Sequence, residues 1–545
     1  MTTGGSPDQH SGQEPGLAAS GVAMAVGTLA SRATGFLRTV VIAAAMGLTI
    51  GDSYNVANTI PNIIYDLLLG GVLTSVVVPL LVQAARDDGD RGEAYAQRLV
   101  TMVLVALSVV AVVGVLLAPQ IVSAYGLQHA QRDLGATFAR YFLPQVVFYG
   151  VGAVFGAILN TRGSFAPPMW APVLNNLVVI ASGGLFLAIT STTPAPGNLS
   201  HTQTLVLAFG TTGGIVLQTV ALLPALRRVG FRLRLRFDWR RAGLRAAGPF
   251  AAWILGYVVT NQLGYLVIVK LATAAGRAQG PGGSGFSPYT YAFVLFSLPY
   301  AVISVSVITA LFPRMSRSAA DGDRAGVAST LAHGLNLSAV LLVPATVALV
   351  ALGPLLGTVV FSYGHIGLAG ARLIGATLAG FGIGLVPFSA FQIQLRAFLA
   401  MRDSRTPALV NIGVTAVNIG ADVALYLLLP AREKVVGLGV GFALSYTLGT
   451  LVFGVLLRRR LGAADRPVAQ THIRLAAAAL VAAAPAYLAA RLLTAGLGLG
   501  VQAAFVAVAV AALAGGGVFL GLARRMRITE LDELMVMVRR RLHQT

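Results

Sequence analysis

The sequence predicts an all-α polytopic membrane protein of about fourteen transmembrane helices, and three observations predict it. Of its 545 residues, 56% are hydrophobic and 11% charged, with a mean hydropathy of +0.78; a soluble chain carries about 25% charged residues. The apolar residues gather in stretches of the roughly 20 needed to cross a bilayer. Arginines collect in alternate short loops between those stretches, so the net charge of +20 reports topology, not nucleic-acid binding.

Spans are read at 20–46, 53–83, 97–119, 134–160, 167–190, 202–226, 245–273, 287–312, 328–351, 367–400, 407–429, 435–457, 472–493 and 498–522. Residues 1–19 are polar and contain no Lys or Arg, so they read as a disordered tail before a retained first helix, not as a cleavable signal. Loops after the even-numbered spans hold Arg86, Arg91 and Arg98, then Arg162, the block from Arg227 to Arg245, Arg314, Arg317 and Arg324, Arg402 and Arg405, and Arg458 to Arg460. The positive-inside rule places these loops and both termini in the cytoplasm.

The two halves resemble each other. VVVPLLVQAARDDGDRGEA, ending the second span, matches ITALFPRMSRSAADGDRAG, ending the eighth, aligning Pro79 with Pro313 and Asp88–Arg91 with Asp321–Arg324. The fourth span, with Pro144, likewise echoes the tenth, with Pro387. The repeat unit is then six helices, and both copies face the same way, as in transporters whose two bundles enclose a central site. The expected organisation is a tail (1–19), a six-helix lobe (20–226), a basic linker (227–244), a second lobe (245–457), a loop (458–471), a helix pair (472–522) and a basic tail (523–545).

Polar groups within the spans are the candidate site. Arg32 and Arg38 lie inside the first span, where a charge costs roughly 2.5 to 3.5 kcal/mol on insertion scales. Ser31, Thr34, Gly35 and Arg38 form one stripe at about 100° per residue. Paired arginines suit a pyrophosphate, which their planar donors match; pairing with carboxylates or helix-end carbonyls, or snorkelling, is the alternative. Intramembrane acids are few, Asp66 and Asp422 being the clearest. Asn418 and Asp422, at i and i+4, share a helix face and offer hard oxygen ligands for Na⁺, a protonatable site, or plain structural hydrogen bonds. Arg140 is a secondary cavity candidate, while Lys270, Arg372 and Arg396 lie near span ends and read as snorkelling to the interface. Zero cysteines exclude thiolate chemistry, and the seven histidines are scattered singly. No motif points to catalysis or to a cofactor.

SRATGFLRTVVIAAAMG followed by GDSYNVANTIPNIIYDLLLGGVLTSVVVPLL resembles the opening helices of the MurJ (MviN) family, lipid II flippases of the MOP exporter superfamily. GAILNTRGSFAPPMWAPVLNN, LPYAVISVSVITALFPRMS, FSYGHIG and AFLAMRDSRTP follow in the family's order. The resemblance implies fourteen helices in two six-helix lobes around a cavity, with a C-terminal pair forming a groove for a polyprenyl tail. It implies that Arg32, Arg38 and Ser31 meet the lipid II head group, and that Asp52 matches an acid opening the second helix. Tyr65, beside Asp66, stands where the family has an arginine, and Val294 and Ser297 replace a further arginine and glutamate. Asn418 and Asp422 fit part of a Na⁺ site found in some members.

The expected function is thus lipid II flipping across a bacterial inner membrane, with the cell-wall synthesis machinery as a candidate partner, no nucleic acid, and no cofactor beyond candidate Na⁺. A related MOP exporter of other lipid-linked oligosaccharides or drugs is the nearest alternative. An integral enzyme on polyprenyl-phosphate substrates and a non-transporting scaffold are alternatives of other classes.

Overall fold

The computed structural model describes residues 15–67, 81, 83–84, 86, 90, 92–238, 249–462, 468–498, 500–528 and 530–531. These residues contain no strand. Bilayer interiors hold no water to satisfy backbone polar groups, so each spanning segment bonds internally as a helix.

The first helix, α1 (Pro15–Asp66), runs through what the sequence reads as two spans. It bends at Gly47, whose φ of 66° is left-handed, so the chain reverses within one continuous run and not through a loop. The remainder of the second expected span, with Pro79 and most of the first DGDR copy, lies outside the described residues. Next come α2 (Glu93–Leu116), α3 (Ala118–Ala124), α4 (His129–Phe142) and α5 (Gln145–Thr161), then α6 (Ala166–Ile189), α7 (His201–Val220) and α8 (Leu223–Arg228). Ser200 and Gln203 close α7 with a reciprocal capping box.

After residue 248 come α9 (Pro249–Ala278), α10 (Phe286–Ala320), α11 (Arg324–Phe361), α12 (Gly367–Gly382), α13 (Leu385–Ala400), α14 (Arg405–Leu428) and α15 (Lys434–Leu461). The last two are α16 (Val468–Leu497) and α17 (Val501–Arg525). Both spans that carried the matching prolines are broken mid-way: α4 stops before Pro144, and α12 and α13 meet at 51°. Among the described residues, twelve helices are long and apolar enough to cross a membrane, thirteen if α12 and α13 are one span. The expected count of about fourteen treated the two limbs of α1 as separate spans. In the RDSRTP turn, Asp403 accepts from the Thr406 amide (2.9 Å) and hydroxyl (2.6 Å) and pairs with Arg460, so that motif holds the start of α14.

Helix α1 packs on α4, α6 and α10; α9 packs on α14, and α12 on α11 and α15. Helices α16 and α17 pack on each other and on α11. Principal helix packing between the segments before residue 231 and those after 249 runs through α1. Within the helices after residue 249 lies a dense aromatic layer in which Phe296 of α10, Phe381 of α12 and Phe442 of α15 meet at 5.3–5.5 Å between ring centroids. Lipid tails are as apolar as these rings, so close packing supplies the attraction.

Gly47 carries a specific load. A Cβ there would sit 2.8 Å from the His365 carbonyl oxygen, while the His365 amide donates to the Ala44 carbonyl at 2.8 Å. Gly47→Ala is expected to lower the melting temperature in detergent, with a backbone penalty of about 1–3 kcal/mol for a side chain at this φ and ψ added to the steric one. Gly184→Ala in α6, where nothing lies within 4 Å, serves as the control and should leave melting unchanged or raise it; equal melting of both variants would refute the hinge assignment.

Candidate substrate cavity

A cavity of about 590 Å³ lies where α1, α9, α10, α14 and α15 converge. Asn62, Tyr65 and Asp66 line it from α1, Asn261, Gln262 and Tyr265 from α9, Tyr289 and Thr290 from α10, Asn411 and Asn418 from α14, and Tyr446 from α15. Many of these polar groups hold one another. Gln262 Nε2 donates to Asp66 Oδ2 (3.3 Å), Asn411 Nδ2 to Asn261 Oδ1 (3.0 Å), and Asn418 Nδ2 to Asp422 Oδ2 (3.0 Å). Asn411 Oδ1, Thr290 Oγ1 and Asp422 Oδ1 are buried without a partner. A wall of amides, hydroxyls and tyrosines suits a ligand rich in hydroxyl and amide groups.

Cations flank this cavity across aromatic layers. Arg38 lies within electrostatic reach of Tyr149, whose ring sits 4.6 Å from that of Tyr65. Arg32 is exposed, donates from Nη1 to the Ala301 carbonyl of α10 (3.0 Å), and shares Tyr300 with Arg396 of α13. Tyr300 meets Phe388 at 4.8 Å, and Phe388 meets Tyr446 on the cavity wall at 4.9 Å.

Arg396 is the residue that sequence reasoning missed. Its depth near a span end suggested snorkelling, yet its Nε is buried without a hydrogen-bond partner. The usable signal was the i, i+4 stripe of Phe388, Gln392 and Arg396, which puts the guanidinium on the face that α13 turns toward α10.

Tyr65, Asp66 and Asn418 therefore line the cavity, whereas Arg32 and Arg38 do not and are separated from it by aromatic rings. Nor do Ser31, Thr34 and Gly35 line it. Asn176 of α6 donates to the Ser31 carbonyl (3.1 Å) and to Thr34 Oγ1 (3.0 Å), and a Cβ on Gly35 would lie 3.4 Å from the same amide. This part of the stripe is a helix contact, in which the Asn176 amide takes the Ser31 carbonyl and the Thr34 hydroxyl. Arg140 is exposed in the last turn of α4 and joins neither group. Asp422 lies behind Asn418 and is 1% exposed.

Asp52 has another task. It is 2% exposed and accepts from Ser284 Oγ (2.8 Å), the Gly285 amide (3.1 Å) and the Ser287 amide (2.6 Å), satisfying free donors at the N-terminus of α10. Around it, the Ser284 hydroxyl shares its one proton with the Leu48 carbonyl (3.1 Å), and Asn55 Nδ2 donates to Ser287 Oγ (3.0 Å), Thr273 Oγ1 to the Tyr125 carbonyl (2.5 Å) and Gln128 Nε2 to the Gly280 carbonyl (3.2 Å). The helix groups are pinned together at the end away from the basic loops.

A family profile described as Lipid II flippase MurJ matches residues 42–508. The chain belongs to the MurJ family. The lipid II flippase MurJ of Burkholderia cenocepacia is 29% identical over 431 residues, 77% of this chain and 80% of that one. The solved structure of a lipid II flippase MurJ in an inward closed conformation superposes with a TM-score of 0.74 at 17% identity, over 93% of this chain and 99% of the other. An inward-facing multidrug-resistance MATE transporter of the MOP superfamily superposes at 0.60 with 16% identity, over 80% and 94% of the two chains. At those identities the MurJ and MATE structures establish the shared fold. The profile match begins after Arg38, so it does not cover Arg32 or Arg38.

The carboxylate assignment separates two roles by measurement. Asp52→Asn should lower stability by roughly 1–3 kcal/mol, since an amide nitrogen would face a backbone donor, and the melting temperature in detergent reports it. Unchanged melting with lost transport would return Asp52 to the substrate site.

Proposed function

We propose that this MurJ-family chain flips lipid II, the lipid-linked peptidoglycan precursor, from the cytoplasmic to the outer leaflet of a bacterial inner membrane. One observation carries the reading: polar contacts close one end of the bundle, and an amide-lined cavity with arginines beside it lies inward of that closure. The basic loops and both termini are assigned to the cytoplasm, so the closed end faces outward. The pyrophosphate meets Arg32 and Arg38, with Arg396 as a further cation, while the sugar and peptide groups occupy the amide wall. Helices 20–226 and 245–457 act as two lobes that rock to alternate access, and the segment 227–244 links them. An apolar groove of about 240 Å³ between α11 and the α16–α17 pair, lined by Ala482, Ala486, Ala511 and Phe519, supports a place for the polyprenyl tail. The chain acts as a transporter and not as an enzyme; the cell-wall synthesis machinery remains its proposed partner.

Charge-assisted hydrogen bonds to a phosphate are worth about 1.5–3 kcal/mol each, so Arg32→Ala or Arg38→Ala should slow flipping by roughly ten- to a hundredfold. The readout is accumulation of lipid II in the cytoplasmic leaflet, with expression and melting at wild-type levels. Unchanged leaflet distribution on depletion of the protein would favour an exporter of other lipid-linked oligosaccharides, as the MATE likeness allows. A new covalent product from labelled lipid II would instead favour an enzyme.

Asp422 is proposed as the site of the coupling ion. Its unpartnered Oδ1, beside the Asn418 amide, suits Na⁺ or a proton, and the membrane potential biases a moving charge by about 2.3 kcal/mol per 100 mV. Asp422→Asn should leave lipid II binding intact and abolish the dependence of flipping on an imposed Na⁺ or proton gradient. Retention of the wild-type gradient dependence would sink this assignment.

A further inference from the structure

The segment Phe231–Asp238, reading FRLRLRFD, follows α8 and is laid along the first turns of α2. Glu93 Oε1 accepts from the Arg232 amide (3.3 Å), and Gln97 Nε2 donates to the Arg232 carbonyl (2.6 Å). Farther on, the Arg236 amide donates to Thr101 Oγ1 (2.9 Å), Arg236 Nε donates to Gln97 Oε1 (2.8 Å), and Arg98 pairs with Asp238 at 2.8 Å. The Arg98 guanidinium holds the Asp238 carboxyl below its ordinary range. At its other end Phe231 is buried beneath Arg162, whose guanidinium lies 5.4 Å from the ring centroid.

This register determines the segment's shape. Glu93, Gln97 and Thr101 share one face of α2 and span about 12 Å of helix. Residues 232 to 236 cover the same rise, which needs an extended chain at about 3.3 Å per residue. Residues 232–236 therefore run beside the α2 axis, from the basic-loop end toward the bilayer interior, and the Asp238 pair with Arg98 holds the end of the segment at that level. Extended chains alternate faces. Arg232, Arg234 and Arg236 fall on one side, and the Arg236 contact with Gln97 turns that side toward α2. Leu233, Leu235 and Phe237 fall on the other and are 49%, 56% and 64% exposed, increasing along the segment. Arg232 and Arg234 are exposed as well.

We propose that this segment is a binding site for anionic phospholipid of the leaflet at the basic-loop end. Leu233, Leu235 and Phe237 form an apolar ladder descending from the head-group layer to the acyl boundary. Arg232 and Arg234 stand beside the lipid phosphates, to which their cations are complementary. The occupant is bilayer phospholipid, because the ladder lies against the entering turns of a membrane helix and needs acyl chains opposite it. Anchoring here fixes the position of the α1–α8 group against the membrane surface just before the chain crosses to α9.

The chain contains no cysteine, so single substitutions Leu233→Cys, Arg234→Cys, Leu235→Cys and Phe237→Cys each give one nitroxide-labelled site in the full-length protein. In nanodiscs of mixed phosphatidylglycerol and phosphatidylcholine, labels at 233, 235 and 237 should collide with oxygen and be shielded from a water-soluble nickel complex, increasingly so in that order. The label at 234 should be nickel-accessible. Equal nickel access at all four sites would overturn the proposal. Replacing phosphatidylglycerol by phosphatidylcholine should reduce immersion at 235, and Arg232→Gln with Arg234→Gln should cut the preference for the anionic lipid by roughly thirtyfold. Immersion indifferent to lipid charge, or a preference surviving both substitutions in a protein of normal melting temperature, would refute the role of the arginines. Inorganic phosphate added to the phosphatidylcholine discs should not restore immersion; if it does, the site reads free anions and the proposal fails.

Discussion

The carboxylate of Asp52 against the start of α10 is the interaction on which the rest of the arrangement depends. A helix beginning inside a membrane protein leaves amides without partners, and hydrocarbon cannot supply them. One side chain from the second limb of α1 takes the Gly285 and Ser287 amides and the Ser284 hydroxyl together. The limb reaches α10 because Gly47 lets α1 reverse against the 362–366 turn, where no side chain fits. Hinge and carboxylate thus act together, and their joint effect is closure at the end away from the basic loops.

The chemistry of that closure matters for a transporter. It is built mainly of hydrogen bonds between backbone and short polar side chains, not of interlocked aromatic rings. Water can replace the neutral bonds at a net cost of about 0.5–1.5 kcal/mol each, while those to the Asp52 carboxylate are worth about 1.5–3 kcal/mol, so the carboxylate contributes most to such a closure. Beneath it, the layer of Phe296, Phe381 and Phe442 is packed too closely for water and keeps α10, α12 and α15 together as one unit. Weak polar contacts between the two groups and dense apolar contacts within one of them fit the proposed alternating access.

The sequence made the architecture legible because its strongest signals were long-range in composition. Apolar spans and alternating basic loops predicted helices and their order, and the matching prolines predicted the repeat; the breaks at α4/α5 and α12/α13, at corresponding places of the two halves, were not read from them. The site was less legible, since a polar side chain on a membrane helix signals a partner without naming it. Ser31 and Thr34 meet Asn176, Asp52 meets backbone amides, and Asp66 meets the cavity. Only the facing helix distinguishes these cases. Arg396 shows the converse: its position near a helix end suggested water, while its stripe on α13 points to Tyr300.

Charge placement sharpens what the cavity selects. Among the described residues lining it, Asp66 is the one charged group, and the arginines stand outside behind Tyr65, Tyr149 and Tyr300. A ligand with a separate anionic end and a larger neutral polar part matches this division, whereas a compact anion would leave the amide wall unmet. Arg32 already spends one N–H on the Ala301 carbonyl, and a guanidinium has five donors, so it can take a phosphate oxygen while keeping that bond to α10. A head group held by Arg32 is then tied to α10 through the same side chain. On the proposed binding of the anion at Arg32, its recognition would be coupled mechanically to the helix whose other end Asp52 closes.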